Sequence, residues 1–249
     1  MYNGKAKVIS NICLAKETFR LDIKLDEKLF IKPGQFAMIN VGNKNGIILK
    51  RPISVHTYND KTLSFIYAIK GQGTKYLSEF KADDTIELLL PLGNGFPCVK
   101  NAKKVVLIGG GMGSFPLFSL FTQNYKADFY SYLGFRNADY VVLENEFNLF
   151  SKQVKITTDD GSYGIKDCIT NVLENDILEI NPDIILACGP VPMFAALKKI
   201  VGNIPCFISM EERMACGFGA CLVCTCKTKT GNKRTCTDGP VFDINEVVL

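Results

Sequence analysis

The sequence predicts a β + α/β protein, in which an N-terminal antiparallel β-barrel precedes a doubly wound parallel-sheet domain and a C-terminal cysteine-loop segment. Three observations predict it. Short alternating strands fill residues 1–98, apolar strands alternate with helical patterns over residues 99–209, and half of the ten cysteines lie within residues 216–236. We therefore expect three units, at residues 1–98, 99–209 and 210–249.

Composition places the chain among ordinary globular proteins. With 47% hydrophobic and 22% charged residues, a disordered or fibrous chain is excluded. The net charge of +4 is mild and no dense Lys/Arg run occurs, so we expect no nucleic-acid partner. The charge-free stretch 105–125 contains four glycines and a proline, which favours a strand, turn and helix over a membrane span. Because no signal-like segment opens the sequence, we expect a cytoplasmic protein.

Period-two alternation predicts the strands of the first unit. Between Phe19 and Leu25, apolar residues alternate with charged ones, which is typical of a strand with one face in water. Further short strands are predicted at residues 35–41, 47–55, 62–69 and 85–90. Turn signals lie at 32–34, 42–46 and 59–60, and the Pro- and Gly-rich stretch 91–97 ends the unit. Many short strands at this spacing indicate a barrel or a sandwich.

From about residue 102 the pattern changes to alternating strands and helices. Strands are predicted at 104–108, 128–133, 153–157, 183–187 and 204–209, with one helix ending near 124 and another over 191–201. This alternation is typical of a doubly wound parallel sheet, whose ligands bind at the carboxyl edge of the strands.

The cysteine spacing C-x4-C-x2-C-x11-C is the most specific motif in the chain. It is formed by Cys216, Cys221, Cys224 and Cys236. Three close thiolates and a distant fourth are the plant-type [2Fe–2S] order, and Gly217 and Gly219 let the backbone curl around such a cluster. A zinc knuckle is the alternative, although zinc sites more often contain two separate C-x2-C pairs. Cys226 is either a free thiol beside the site or a replacement for Cys224.

Two further motifs lie at the predicted carboxyl edge of the parallel sheet. The first is the glycine loop of Gly109, Gly110, Gly111 and Gly113. Bare amides can approach a pyrophosphate, but Ser114 takes the sixth position of the match that begins at Gly109, so the usual dinucleotide fingerprint is incomplete. A nucleotide site and tight strand–helix packing both stay open. The second motif, Cys188-Gly189-Pro190, is compatible with a ligand site and with simple helix initiation.

The predicted barrel carries a third candidate site. Arg51-Pro52-Ile53-Ser54 combines a planar guanidinium with a short hydroxyl, a pair suited to phosphate, although an exposed arginine before an edge-strand proline explains it equally well. Gly73-Thr74 enters a short predicted helix, where backbone amides could also cradle phosphate. The single histidine, His56, has no acidic or cysteine partner nearby in sequence and is assigned no role.

The order of these motifs resembles that of the ferredoxin–NADP⁺ reductase superfamily. The segment from Ser209 through the four cysteines to Phe242 resembles the family of electron transfer subunits of class B dihydroorotate dehydrogenase. The resemblance implies that FAD contacts fall on Arg51, Pro52, Ile53, Ser54, Ile66, Tyr67, Ala68, Gly73 and Thr74. It implies that an NAD(H) site is formed by Gly109, Gly110, Gly111, Gly113, Cys188, Gly189 and Pro190. It also implies that the [2Fe–2S] ligands are Cys216, Cys221, Cys224 and Cys236.

The same resemblance implies a function. A separate FMN-containing catalytic subunit would oxidise dihydroorotate in pyrimidine (UMP) biosynthesis, and this chain would carry the electrons through the cluster and FAD to NAD⁺. Two copies of each subunit would form a heterotetramer. Two alternatives stay open: the subunit of another flavin/iron–sulfur complex, of the NADP⁺:ferredoxin oxidoreductase or sulfite reductase type, or a zinc-stapled interaction protein without cofactors.

Overall fold

The N-terminal part of the chain forms a closed antiparallel barrel. The computed structural model describes residues 1–42 and 46–249. The elements of this part are β1 (Tyr2–Ala15), β2 (Thr18–Lys24), β3 (Phe36–Ile39), β4 (Arg51–Asn59), β5 (Thr62–Ala68), α1 (Gln72–Leu77) and β6 (Thr85–Leu92). Within the described residues, six strands close the barrel in the order β1-β2-β5-β4-β3-β6. Alternate side chains, such as Leu21 and Ile23 of β2, fill its core.

The barrel confirms the predicted fold class but differs from the predicted strands in two places. The 14-residue β1 was not predicted, because its alternation is uneven: Ala6 and Val8 are buried, whereas Ile12 and Leu14 are exposed. A strand was predicted over 47–55, but β4 begins at Arg51, and Ile48 is 76% exposed. The predicted turn 42–46 includes residues 43–45, which lie outside the described residues.

A parallel sheet with helices on both faces follows the barrel, as predicted. Its elements are β7 (Lys104–Gly110), α2 (Ser114–Leu117), β8 (Asp128–Phe135), α3 (Glu144–Phe150), β9 (Gln153–Thr158), α4 (Ile169–Ile180), β10 (Ile184–Cys188), α5 (Val191–Ile200) and β11 (Cys206–Ser209). The single helix predicted up to residue 124 is wrong: α2 lies between two 3₁₀ helices, Gly111–Gly113 and Phe118–Gln123. Pro116 has no N–H to donate, which weakens a continuous helix there.

The C-terminal segment is joined to this sheet. It contains β12 (Thr225–Thr228), β13 (Gly231–Arg234) and β14 (Val241–Asp243). The first two form an antiparallel hairpin, and β14 pairs antiparallel with β11. The sheet order in the described part of the chain is therefore β14-β11-β10-β7-β8-β9. None of the helices in residues 1–42 and 46–249 is long and apolar enough to cross a membrane.

The barrel packs against the sheet through His56. This side chain of β4 is 3% exposed, and its Nδ1–H donates to the carbonyl oxygen of Phe115 over 2.8 Å. Its ring stacks on Phe118, with the centroids 4.9 Å apart. A second contact joins Lys16, in the β1–β2 turn, to Asp139 through a 3.2 Å ion pair. These contacts hold β4 and the β1–β2 turn of the barrel beside the carboxyl edge of the sheet.

Candidate cofactor and cluster sites

A cavity of about 240 Å³ lies beside β4 and β5. Eight of the nine residues predicted to contact FAD line it: Arg51, Pro52, Ile53, Ser54, Ile66, Tyr67, Ala68 and Thr74. They come together because β4 and β5 are antiparallel neighbours and α1 follows β5 directly. The ninth, Gly73, lies against the Arg51 side chain. The sequence runs 51–54 and 66–74 therefore form one wall.

Arg51 and the turn before α1 make this wall suited to an anionic group. The guanidinium passes so close to Gly73 that a Cβ at this position would overlap it. Arg51 Nη1 donates to the carbonyl oxygen of Leu49 over 2.6 Å, which fixes the side chain. The Thr74 hydroxyl accepts from the Lys70 N–H over 2.8 Å and orders the turn. A fixed guanidinium beside bare backbone fits the pyrophosphate of a dinucleotide such as FAD.

A second cavity, of about 710 Å³, lies at the carboxyl edge of the parallel sheet. Four of the residues predicted for NAD(H) line it: Gly110, Gly111, Gly189 and Pro190. The others pack behind it. A Cβ on Gly109 would meet Ser114, and one on Gly113 would overlap the carbonyl oxygen of Cys188. Cys188 itself lines the smaller cavity. Some glycines of the loop therefore face a cavity, and others permit close packing, so the nucleotide site stays a prediction.

The two cavities adjoin. They share Ala68, Lys70, Met112, Phe115 and Glu211. Of these, only Ala68 was a predicted site residue. Burial raises the pKa of Glu211, and the charge of Lys70 opposes that rise. The position of Glu211 in the sequence could have identified it as a candidate site residue, because it follows the last parallel strand, at the edge where such sheets bind ligands.

The four cysteines of the spacing motif lie as two contacting pairs, Cys216 with Cys221 and Cys224 with Cys236. Burial would raise the pKa of the Cys216 thiol, but the N–H groups of Phe218, Cys221 and Ala220, with the Cys221 thiol, lower it to about 6. Burial and the neighbouring Cys224 thiol raise the pKa of Cys236 to about 12. The Cys216 thiol is therefore predisposed to ionise, whereas the Cys236 thiol is shielded from ionisation.

This donor set fits a two-iron cluster. Among residues 1–42 and 46–249, no three His, Cys, Asp or Glu side chains are grouped as ligands of a single metal ion. Four thiols in two pairs, with backbone N–H groups directed at sulfur, match the donors that a [2Fe–2S] cluster requires. The zinc alternative needs one tetrahedral centre, and the paired arrangement fits it less well.

The β12–β13 hairpin explains the eleven-residue gap in the motif. The chain leaves Cys224 along β12 and returns along β13, and the Thr235 N–H donates to the Cys224 carbonyl oxygen over 2.9 Å. Cys236 is thereby brought back to Cys224. Cys226 instead packs in the core of the sheet unit, where burial raises the pKa of its thiol. The structure thus favours the interpretation of Cys226 as a free thiol.

The cysteine segment adjoins the smaller cavity. Cys224 and Cys236 pack against Phe36 and Met38 of the barrel, together with Met214. Phe36 and Met214 also line the smaller cavity. Side chains thus connect the cysteine pairs to the smaller cavity, and the smaller cavity to the larger one.

Comparison with known proteins agrees with this arrangement. Residues 211–248 match the family described as "Iron-sulfur cluster binding domain of dihydroorotate dehydrogenase B". The chain is 40% identical to a "Dihydroorotate dehydrogenase B (NAD(+)), electron transfer subunit" of Caldanaerobacter subterraneus subsp. tengcongensis, over 98% of each chain. It is 41% identical to the protein of the same name from Clostridium perfringens, over 98% of this chain and 97% of that protein.

Two solved structures are similar in fold. The first, described as the NADH-dependent reduced ferredoxin-NADP oxidoreductase, has a TM-score of 0.86 and 27% identity over 98% of this chain and 89% of that chain. The second is the ferredoxin reductase in carbazole 1,9a-dioxygenase, with a TM-score of 0.70 and 21% identity over 82% of this chain and 67% of that chain. The barrel-then-sheet architecture is therefore that of the ferredoxin reductases.

Proposed function

This chain belongs to the family of electron transfer subunits of NAD⁺-dependent dihydroorotate dehydrogenase B, and we propose that it carries electrons from an FMN-containing catalytic subunit to NAD⁺. The route runs through a [2Fe–2S] cluster and FAD, and the reaction served is the oxidation of dihydroorotate in pyrimidine biosynthesis. The observation that carries the proposal is the unbroken series of cysteine pairs, smaller cavity and larger cavity.

Each unit of the chain takes one group in this proposal. The barrel, residues 1–98, holds FAD; the sheet unit, residues 99–209, holds NAD(H); and residues 210–249 hold the cluster. Arg51 grips the FAD pyrophosphate, while Ser54 and residues 66–68 border its ring. Gly110, Gly111, Gly189 and Pro190 border the nicotinamide nucleotide. Cys216, Cys221, Cys224 and Cys236 ligate the cluster.

FAD supplies the chemistry at the junction, because a flavin takes up electrons singly from a cluster and exchanges a hydride with NAD⁺. The chain supplies position and exclusion of water. Phe115 and Met112 close the junction with apolar surface, and Lys70 and Glu211 border it with opposite charges. The hydride itself would pass between FAD and NAD⁺ without a side-chain acid or base, and the proton that FAD takes up with two single electrons would come from solvent.

A partner subunit must deliver electrons at the cluster. Three apolar side chains of the cysteine loop are exposed, Phe218 at 53%, Leu222 at 61% and Val223 at 52%. Such a patch beside a redox centre supports docking of the FMN-containing catalytic subunit there, in a heterotetramer of two copies of each chain. None of the ten cysteines, all of them among the described residues, forms a disulfide, which supports a cytoplasmic location, where thiols stay reduced.

The first test is an anaerobic visible spectrum of the purified chain before and after NADH. Flavin bands together with broad iron–sulfur absorption, bleached by NADH, are expected. A colourless preparation that contains zinc would overturn the proposal in favour of the interaction protein. A coloured chain that NADPH bleaches and NADH does not would point to the NADP⁺-dependent complexes.

The ligand assignment is tested by Cys221→Ser. We expect this variant to lose most of its iron while it retains FAD, since the flavin wall lies on the barrel. Cys226→Ala is the matched control, because this thiol packs in the core of the sheet unit and not with Cys224 and Cys236 on the barrel, and it should keep its iron. Full iron content in Cys221→Ser would contradict the assignment, as would iron loss confined to Cys226→Ala.

A further inference from the structure

Arg234 connects the two loops that carry the cysteine ligands. It ends β13, two residues before Cys236. Its main-chain N–H donates to Asp238 Oδ2 over 2.7 Å, and its carbonyl oxygen accepts from the Asp238 N–H over 2.8 Å. Arg234 and Asp238 thereby close a turn that contains Cys236.

The Arg234 side chain extends from this turn to the other ligand loop. Nη1 donates to the carbonyl oxygen of Gly219 over 3.1 Å, and Nε lies 3.4 Å from Asp238 Oδ2. Gly219 stands between Cys216 and Cys221, and its own N–H is directed at the Cys236 thiol. The loops therefore meet twice at Gly219, once through its N–H and once through its carbonyl oxygen.

We propose that Arg234 is a positioning residue for the cluster. Its side chain holds the two ligand loops together and places a fixed positive charge beside them. This inference rests on the proposed ligation by the four cysteines. A hydrogen bond from a guanidinium is charge-assisted and stronger than a neutral one, so it restrains Gly219. A nearby cation also stabilises the more negative, reduced state of a cluster and raises its reduction potential.

The neighbouring Lys233 provides a matched control. It is the preceding residue of β13, so its side chain leaves the opposite face of the strand. It is ion-paired with Glu246. Lys233→Met therefore removes the same charge from the same strand without touching Gly219. Arg234→Lys keeps the charge but loses the planar fork, and Arg234→Met removes both.

The experiment is an EPR-monitored redox titration of the complex with its catalytic subunit, together with the rate of cluster loss under air. In Arg234→Met we expect a more negative midpoint potential and cluster loss about tenfold faster, which is the smaller of the effects expected when a hydrogen bond behind a metal ligand is removed. Arg234→Lys should keep the wild-type potential yet lose the cluster faster. Lys233→Met should match the wild type in both measurements.

A third measurement needs no cluster. Amide hydrogen exchange of the metal-free chain should be faster at residues 218–221 in Arg234→Met than in Lys233→Met, because the tie to Gly219 is lost. An Arg234→Met complex with the wild-type potential overturns the inference, as does a Lys233→Met complex with an equal shift. A wild-type complex that contains no iron overturns the ligand assignment, and this inference with it.

Discussion

Several glycines of this chain are needed because another part of the chain approaches their backbone closely, and not because they make the chain flexible. Gly73 admits the Arg51 guanidinium, and Gly113 admits the end of β10. A side chain at either position would push apart two segments that are distant in sequence. These glycines thus permit the close contacts that lie behind the cavity walls.

We expect Gly73→Ala to weaken FAD retention by about tenfold, because the added methyl displaces the guanidinium that grips the pyrophosphate. The flavin content after dialysis measures the effect. Gly71→Ala is the matched control, since Gly71 has an extended φ of 179° and no atom within 4 Å of its added Cβ. Equal flavin content in the two variants would argue against the role of Arg51.

His56 makes the chain sensitive to acid. Burial lowers its pKa from 6.5 to about 4, although the hydrogen bond to Phe115 opposes the shift. The unfolded chain binds a proton at His56 near pH 6.5, and the folded chain binds it only near pH 4. The contribution of neutral His56 to the free energy of unfolding is therefore complete above pH 6.5 and is lost as the pH falls towards 4.

We expect protonation of His56 in the unfolded chain to lower the free energy of unfolding by about 2 kcal/mol between pH 7 and pH 5. Urea unfolding at the two pH values measures it. His56→Phe loses the hydrogen bond to Phe115 and is less stable at pH 7, but its stability should fall by about 2 kcal/mol less on acidification than that of the wild type. An identical pH dependence in both proteins would show that His56 does not titrate as expected.

At the scale of elements, the cysteine loop depends on the barrel for its position. Gly217 has a φ of +80°, and a Cβ there would overlap Met38, which is fully buried in β3. Cys224 and Cys236 pack on the same part of the barrel. The cysteine loop therefore packs directly on the surface of the barrel.

We expect Gly217→Ala to lower the iron content per chain by half or more, because the loop must move off Met38. Gly231→Ala is the control: with a φ of +120° it imposes similar backbone strain, but no atom lies within 4 Å of its added Cβ. Iron analysis and EPR of the reduced chain compare the two. Similar losses would mean that strain, and not the barrel contact, controls cluster content.

At the scale of the whole molecule, the C-terminal segment joins the barrel to the sheet. Its β14 adds an antiparallel edge strand to the sheet. Asn94, which follows β6, donates to the carbonyl oxygens of Asp238 and Val241 over 3.0 and 2.9 Å. Unfolding of this segment would expose the sheet core and separate the cysteine pairs at once. Cluster retention and global stability should therefore change together.

Phe242→Ala tests that coupling. Phe242 is 3% exposed in the core of the sheet unit, so its truncation should lower the free energy of unfolding by about 3–5 kcal/mol, and iron should be lost in parallel. Val248→Ala is the control, since Val248 is 57% exposed and its truncation should change little. Urea unfolding followed by fluorescence, with iron analysis of the same samples, provides both readouts. A loss of stability with intact iron content would show that cluster retention does not depend on the packing of this segment in the sheet.

Local features of the sequence predict the fold class, which the structure confirms, and the chemistry of each motif, whose individual residues stay predictions. Period-two alternation marks β2, apolar strands alternating with helices mark the sheet, and the cysteine spacing marks an iron–sulfur site. The same reasoning missed β1, whose exposed Ile12 and Leu14 break the alternation.

The relative placement of the motifs follows from the tertiary structure and not from their spacing in the sequence. The junction of the cavities at Lys70, Phe115 and Glu211, and the tie from Arg234 to Gly219, join residues that are distant in sequence. Such contacts arise from strand order and packing between units, which no local spacing records. Electron transfer needs the cofactor sites to be adjacent, and that adjacency is a property of the folded chain.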